Sequence, residues 1–308
     1  MSAALMKGHL WKDRRDAKDR KGNPIVTYPV YVEDKHDEIR CHVKVFDALN
    51  TFIDTPARVE FLSYAGKPLS NMERFEQTFL TLSRGTGWRE FDLGFEVNGN
   101  FNDSYRWVRS TKGLPADLAN ATVRFLVFGL PEKKTGGMVQ QLLCRLEVAR
   151  YAADWVSVPF DTPFFTVCDG PDAVDAAFLN ARSRGLEGVM VKQLHAEYER
   201  KRTDGWLKMK PEDDADGVIV ELIEATATVA DPERGVAVGD PLGRIGSVRV
   251  RMEDGSEACP HGIAHELGRD MLLHPEKYIG QWCELKFMER DRQGGYRHPT
   301  FFRLREAK

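Results

Sequence analysis

The sequence has little cysteine and no cysteine pattern. Its five cysteines, Cys41, Cys144, Cys168, Cys259 and Cys283, are scattered and never form a CxxC pair. That argues against a disulfide framework and a thiolate zinc site, and leaves them as reduced core residues. The eight histidines show no ligand spacing, so a histidine-bound metal centre is not expected. There is no GxxxxGK[ST] loop, no GxGxxG after a strand and no GxSxG elbow. These absences disfavour nucleotide binding on a glycine-rich loop and serine-nucleophile hydrolysis. No window approaches ~18 uninterrupted apolar residues, and the opening MSAALMKGHLWKDRRDAKDRKGN lacks the apolar core of a signal peptide. The expectation is a cytoplasmic protein with no membrane partner. An excess of positive charge is missing too: with a formal net charge of −3, any binding to polyanions must come from a locally basic surface.

What is present is enough chain for two domains, 308 residues with 42% hydrophobic content. Lys7, Lys12, Arg14, Arg15, Lys18, Arg20 and Lys21 face only Asp13, Asp16 and Asp19, making the first segment a locally basic arm, either a solvated turn or a phosphate-contacting one. Next come a β-branched and aromatic run, IVTYPVYVE, and an alternating one, RCHVKVFD. Between them EDKHDEIR places Lys35 in a short connection with acids on either side. Helical spacing follows in NMERFEQTFLTL, in VQQLLCRLEVARYAADW with Leu142, Leu143, Leu146 and Val148, and in PDAVDAAFLNARSRG, which Gly185 terminates. Mixed content over residues 1–213 gives an α+β first domain. The acidic, proline-bearing KPEDDADG reads as a hinge at Glu212 to Asp214. Residues 214–308 then carry four or five strands and one short helix, the pattern of a small antiparallel β-barrel of the oligonucleotide-binding (OB) kind.

A lone lysine in a loop is ordinarily a solvated one, but two further stretches change its meaning. In LEGVMVK, strand alternation sends Glu187, Val189 and Val191 one way and Gly188, Met190 and Lys192 the other. In WLKMKP, Lys208 and Lys210 share a strand face, an arrangement that like-charge repulsion disfavours unless an anion sits between them. Lys192, Lys208, Lys210 and Arg40 together suit a triphosphate. Such a cationic cluster, with desolvation, is expected to depress the pKa of Lys35 and expose its nucleophilic neutral form.

EDKHDEIR, GFEVNG, FGLP, LEGVMVK and WLKMKP, in this order, resemble the motif series of the covalent nucleotidyltransferases, and most of all that of the small ATP-dependent DNA ligases encoded by bacteriophages. The resemblance implies a nucleotidyltransferase domain of ATP-grasp-like antiparallel sheets with helices, followed by an OB-fold domain that ends in GYRHPTFFRLRE. It implies that Lys35 attacks the α-phosphorus of ATP and carries AMP, with Asp37 orienting the lysine loop or the 3′-hydroxyl end. Glu33 would recognise adenine, Arg40 would reach the ribose or the nicked strand, and Phe128 would stack on the base. Glu96 would serve the ribose and a metal, Glu187 would hold Mg²⁺, and Lys192, Lys208 and Lys210 would contact phosphates. The implied partner is nicked double-stranded DNA, bound by a monomer.

The sequence departs from that pattern in places. Glu38 stands where the motif has glycine, and is expected to face away from the triphosphate. GFE replaces aspartate-glycine-glutamate, and Tyr64 occupies a position that often holds arginine, whose contact is then either lost or supplied by Lys67. Several assignments have plain alternatives: Phe128 as core with Phe125 as the stacking ring, Glu96 as an exposed strand residue, Glu187 and Lys192 as an ion pair. Arg297, His298, Arg303, Arg305 and Lys308 are further candidate cations. RNA joining, mRNA capping, or a nick-binding module that has lost catalysis are the other readings.

Overall fold

The computed structural model describes residues 5–46, 57–132, 136–291 and 294–305; Lys308 lies outside them. The chain separates into two compact units, Met1–Lys210 and Pro211–Lys308, and mixes α and β content with several sheets and few helices. Among the described residues no helix is long and apolar enough to cross a membrane.

The first unit holds two five-stranded sheets. One has the order β1-β10-β9-β2-β8, built from β1 (Lys7–Leu10), β2 (Val30–Lys35), β8 (Phe165–Cys168), β9 (Gly188–Gln193) and β10 (Arg202–Met209). The other has the order β4-β3-β5-β6-β7, from β3 (Ile39–Phe46), β4 (Arg58–Ser63), β5 (Glu90–Val97), β6 (Val123–Gly129) and β7 (Phe160–Asp161). Helices α1 (Glu76–Thr86), α2 (Phe101–Arg109) and α3 (Met138–Trp155) pack on the second sheet, and α4 (Pro171–Ser183) on the first. Helix α4 ends as its sequence demands, with Gly185 at φ +78° just beyond it.

Strand β5 is central and covered on both faces. Phe91, Leu93, Phe95 and Val97 point into an aromatic core shared with Phe75, Phe79, Trp107 and Phe125. By alternation Asp92, Gly94 and Glu96 take the opposite face. Helix α3 presents a different stripe from the expected one: Leu143 and Leu146 are exposed, while Met138, Gln141, Arg145, Val148 and Ala152 are buried. The helix turns its polar residues inward because each has a partner there. Gln141 accepts from the Leu130 amide at 3.0 Å and donates to the Leu130 carbonyl at 3.2 Å, and Arg145 reaches the carbonyls of Val127 and Phe128.

The second unit is a five-stranded antiparallel sheet of order β13-β12-β11-β14-β15, from β11 (Asp213–Thr226), β12 (Pro241–Met252), β13 (Glu257–Ala258), β14 (Trp282–Phe287) and β15 (Thr300–Leu304), with α5 (His265–Leu273) against β12. The sheet is not closed; one residue, His261, bridges Ser247 of β12 and Thr300 of β15. The stretch read as a hinge is already strand from Asp213 onward, with Asp213 and Asp214 opposite Phe287 and Lys286. Carboxylates occupy several of the C-terminal cations: Arg297 binds Glu289, Arg303 binds Glu284, and Arg305 binds Asp216 and Glu284.

Candidate active site

The two sheets of the first unit enclose a cavity of about 350 Å³ lined by Glu33, Lys35, Glu38, Arg40, Phe128, Glu187, Lys192, Lys208 and Lys210 among others, within the size range of small-molecule sites. Lys35 is the last residue of β2 rather than a residue of the loop that follows. Its ammonium pairs with the Glu187 carboxylate, and its carbonyl accepts from the Glu187 amide at 3.1 Å. Glu187 immediately precedes β9, so the alternation that was to separate it from Lys192 does not apply, and both line the cavity. Gly188 permits this crossing, since a Cβ there would lie 2.2 Å from the Met209 carbonyl oxygen.

At one end of the cavity the charges neutralise one another. Glu33 is buried and meets Arg145, Lys192 and the Tyr31 hydroxyl. Lys192 lies 4.2 Å from the Trp206 ring and donates to the Phe128 carbonyl at 3.4 Å. Burial pulls its ammonium below the usual range against the pull of Glu33. The expected place of Lys192 among the phosphate-binding lysines is therefore corrected: its Nζ belongs to the Glu33 cluster. Phe128 lines the cavity while Phe125 is fully buried in the aromatic core, which separates the two candidates for stacking.

At the other end the cations lack such partners. Met190 and Trp206 pair with Lys208 and Lys192 across β9 and β10, and Lys208 and Lys210 both line the cavity. Strand β1 runs parallel to β10 and sets Lys7 opposite Arg202. Among the described residues Lys7, Arg202, Lys208 and Lys210 make no ion pair with a carboxylate. Burial, Arg202, Lys35 and Lys210 together bring the Lys208 pKa down to about 8. Lys7 lies 3.9 Å from the centre of the Tyr64 ring, so Lys7 rather than Lys67 stands beside the position that has lost its arginine.

Other expected residues take different roles. Arg40 lines the cavity, but its guanidinium is held by both oxygens of Asp92 at 2.8 and 2.6 Å and by the Met6 carbonyl at 2.7 Å. Asp37 is half-buried outside the lining, and Glu96 turns away to pair with Arg124. Glu96 and Glu187 are thus not gathered as one metal site, and no cluster of three His, Cys, Asp or Glu side chains suited to a metal occurs among the described residues. Glu38 faces the cavity, contrary to expectation. Burial pushes its pKa up to about 7. The depressed pKa foreseen for Lys35 is reversed: burial lowers it, but Glu38, Glu187 and Asp37 outweigh burial and raise it.

Arg145, Arg202 and Trp206 were not singled out from the sequence, and Lys7 was read only as one cation of a basic arm, either a solvated turn or a phosphate-contacting one. Gln141 and Arg145 at a spacing of four were the available signal for Arg145, since the stripe through Met138 and Val148 runs across both. The basic run marks Lys7 only in company with six other cations, and the parallel pairing between distant segments is what sets it apart.

The chain is 28% identical over 139 residues to the DNA ligase of Enterobacteria phage T3 and 31% identical over 142 residues to that of Escherichia phage T7. These stretches cover 44% and 40% of this chain but only 37% and 38% of those enzymes, little more than a third of the relatives' length. A solved Lig E DNA ligase superposes with a TM-score of 0.65 at 18% identity, covering 99% of this chain and 100% of that one. The T7 enzyme, an ATP-dependent DNA ligase solved in complex with ATP, gives 0.53 at 18% identity, covering 98% of each chain. At such identities the likeness establishes a shared fold. No family model matches the chain.

Proposed function

We propose that the chain is an ATP-dependent DNA ligase of the small phage type, sealing nicks in duplex DNA. The observation that carries this reading is one cavity with Phe128 beside a neutralised cluster at one end, Lys35 on Glu187, and unpaired Lys208 and Lys210 beyond. It offers a stacking ring, a nucleophile and an anion site in one enclosure.

In the first step Lys35 gives up a proton to its Glu187 partner, and its Nζ attacks the α-phosphorus of ATP. An N–P bond forms, the bond to the bridging oxygen breaks, and pyrophosphate leaves. Adenylate then passes from Lys35 to the 5′-phosphate at a nick, and the adjacent 3′-hydroxyl displaces AMP to join the strand. Negative charge sits on phosphate oxygens throughout, so the chain contributes mainly position and electrostatic stabilisation. Lys208 and Lys210 supply the cations; Arg40, fixed on Asp92, holds the floor; Phe128 holds the base. Asp37 orients the loop after Lys35.

Magnesium fits this donor set, because that ion is commonly bound through one or two carboxylates together with substrate phosphates. Glu187 is the cavity carboxylate suited to hold it, and when bound it neutralises charge on the phosphates. The second unit serves as an OB-type module, a role its five antiparallel strands and α5 support, in a monomer with two domains.

Incubation with α-labelled ATP and Mg²⁺ tests the reading. Covalent label on the parent chain, none on Lys35→Ala or Lys35→Arg, and sealing of a nicked duplex by the parent alone are expected; arginine does not rescue because a guanidinium keeps its proton. Unchanged labelling of Lys35→Ala overturns it.

A further inference from the structure

Glu38 opens the connection between β2 and β3 onto the cavity, three residues after Lys35. A Cβ placed on Gly94 would lie 2.4 Å from the Glu38 Cγ and 2.6 Å from the Phe128 Cζ. Glu38 and the edge of the Phe128 ring therefore flank the same point above β5. Glu38 Oε2 is buried and has no hydrogen-bond partner, a costly condition for a carboxylate.

The other carboxylates lining the cavity are committed. Glu33 holds Arg145 and Lys192, Asp34 receives both Arg184 amines at 2.7 Å, and Glu187 holds Lys35. Glu96, to which the motif resemblance gives the sugar, is paired with Arg124 and does not line the cavity.

In a nucleotide the sugar links the base to the α-phosphate. With the base on Phe128 and the α-phosphorus before Lys35, the sugar must pass between them, beside Glu38. We infer that Glu38 accepts a hydrogen bond from a ribose hydroxyl of the bound nucleotide, in place of Glu96, and makes the site prefer ribonucleotide to deoxyribonucleotide. The inference rests on the nucleotidyl-transfer reading above. It gives the orphaned oxygen a partner, and it gives a reason for a large acidic side chain where a glycine would leave the sugar uncontacted.

The test is single-turnover self-labelling by ATP, 2′-deoxy-ATP and 3′-deoxy-ATP. The parent should react with ATP roughly ten- to a hundredfold faster than with at least one deoxy analogue, the range expected for a hydrogen bond to a charged group. In Glu38→Gly that preference should shrink to within about threefold, through a slower ATP reaction rather than a faster deoxy one. Glu38→Gln, which keeps the shape and one acceptor, should retain an intermediate preference, and Glu96→Ala should retain it in full. Melting curves on each variant confirm folding. A parent that labels equally well with all three nucleotides overturns the inference, as does full preference in Glu38→Gly. Loss of preference in Glu96→Ala returns the role to Glu96. A parent that takes no label from ATP fails at the earlier stage and removes the functional reading itself.

Discussion

The two ends of the cavity are made of the same kinds of residue and treat charge in opposite ways. At the Phe128 end, Glu33 is 1% exposed, Lys192 2% and Arg145 1%, and each has its counter-charge in contact. At the far end, Lys7, Arg202, Lys208 and Lys210 make no ion pair with a carboxylate among the described residues, and Glu187, which acts on Lys208, is held by Lys35. Charges that answer each other inside a protein define shape, because removing one strands the rest. Charges of one sign gathered without an answer disfavour the fold, and that disadvantage is reversed when an anion arrives. One end is therefore a finished piece of structure and the other an incomplete one, the division that the proposed function needs between holding a base and receiving a phosphate chain.

Removing Arg145, at the neutralised end, should give the largest effect. Arg145→Leu leaves Glu33 with Lys192 as its counter-charge and removes the Arg145 donor from the Val127 and Phe128 carbonyls. Loss of one partner from a buried charge cluster costs about 3–5 kcal/mol, to be read from the midpoint and slope of urea unfolding. Stability within about 1 kcal/mol of the parent would mean that this end does not hold the shape.

Lys208→Ala addresses the incomplete end and should do the reverse. Adenylylation should slow about a hundredfold, or ~2.7 kcal/mol in barrier, while urea stability stays within ~0.5 kcal/mol. A variant that unfolds yet reacts normally per folded molecule would make Lys208 structural.

Titration sharpens the same contrast with a smaller effect. Because the Lys208 pKa is brought down to about 8, its positive charge is present below that pH and lost above it. The apparent affinity for ATP should fall as pH rises from 7 to 9, by about tenfold for one unit past the pKa. Lys208→Arg, which keeps its charge, should flatten that fall. A parent profile as flat as that of the arginine variant would show that Lys208 does not meet the phosphates.

Much of this site was legible one stretch at a time. Lys35, Glu187, Lys208 and Lys210 were singled out by local pattern and motif resemblance, and all four line the one cavity. Failures came where the answer depends on which distant groups meet. The sign of the Lys35 shift turned on Glu38 and Glu187 standing closer in effect than the lysines. Lys192 was misplaced because Glu33, on the neighbouring strand β2, captures it. Helix α3 was read by its leucines, whereas Gln141 and Arg145 find enough buried acceptors to reverse the face. In the second unit the strands were foreseen, but the expected barrel closure is a bridge through one residue, His261, and no alternation pattern reports that.

Lys7→Ala should have the smallest effect, and it tests how far the unanswered end extends. Lys7 reaches the cavity on β1, opposite Arg202, with its ammonium over the Tyr64 ring. Burial, Arg202 and Arg40 lower its pKa from the ordinary lysine value. A cation over an aromatic face gains about 0.5–1 kcal/mol at an exposed site, too little to explain a lysine set among like charges, so under the proposed function its expected partner is an anion. The partial exposure of Lys7 and its pairing with Arg202 rather than with Lys35 favour contact with the end of the triphosphate over the reacting phosphorus. Such a contact is made equally in the ground state and the transition state, so Lys7→Ala should raise the apparent KM for ATP about three- to tenfold and leave kcat within about twofold. Added salt should narrow the difference between variant and parent, because a partly exposed charge is screened over about 8–10 Å at physiological ionic strength. Lys7→Arg should restore KM. A change confined to kcat would place Lys7 at the reacting phosphorus, and no change in either constant would return the first strand to a purely structural role.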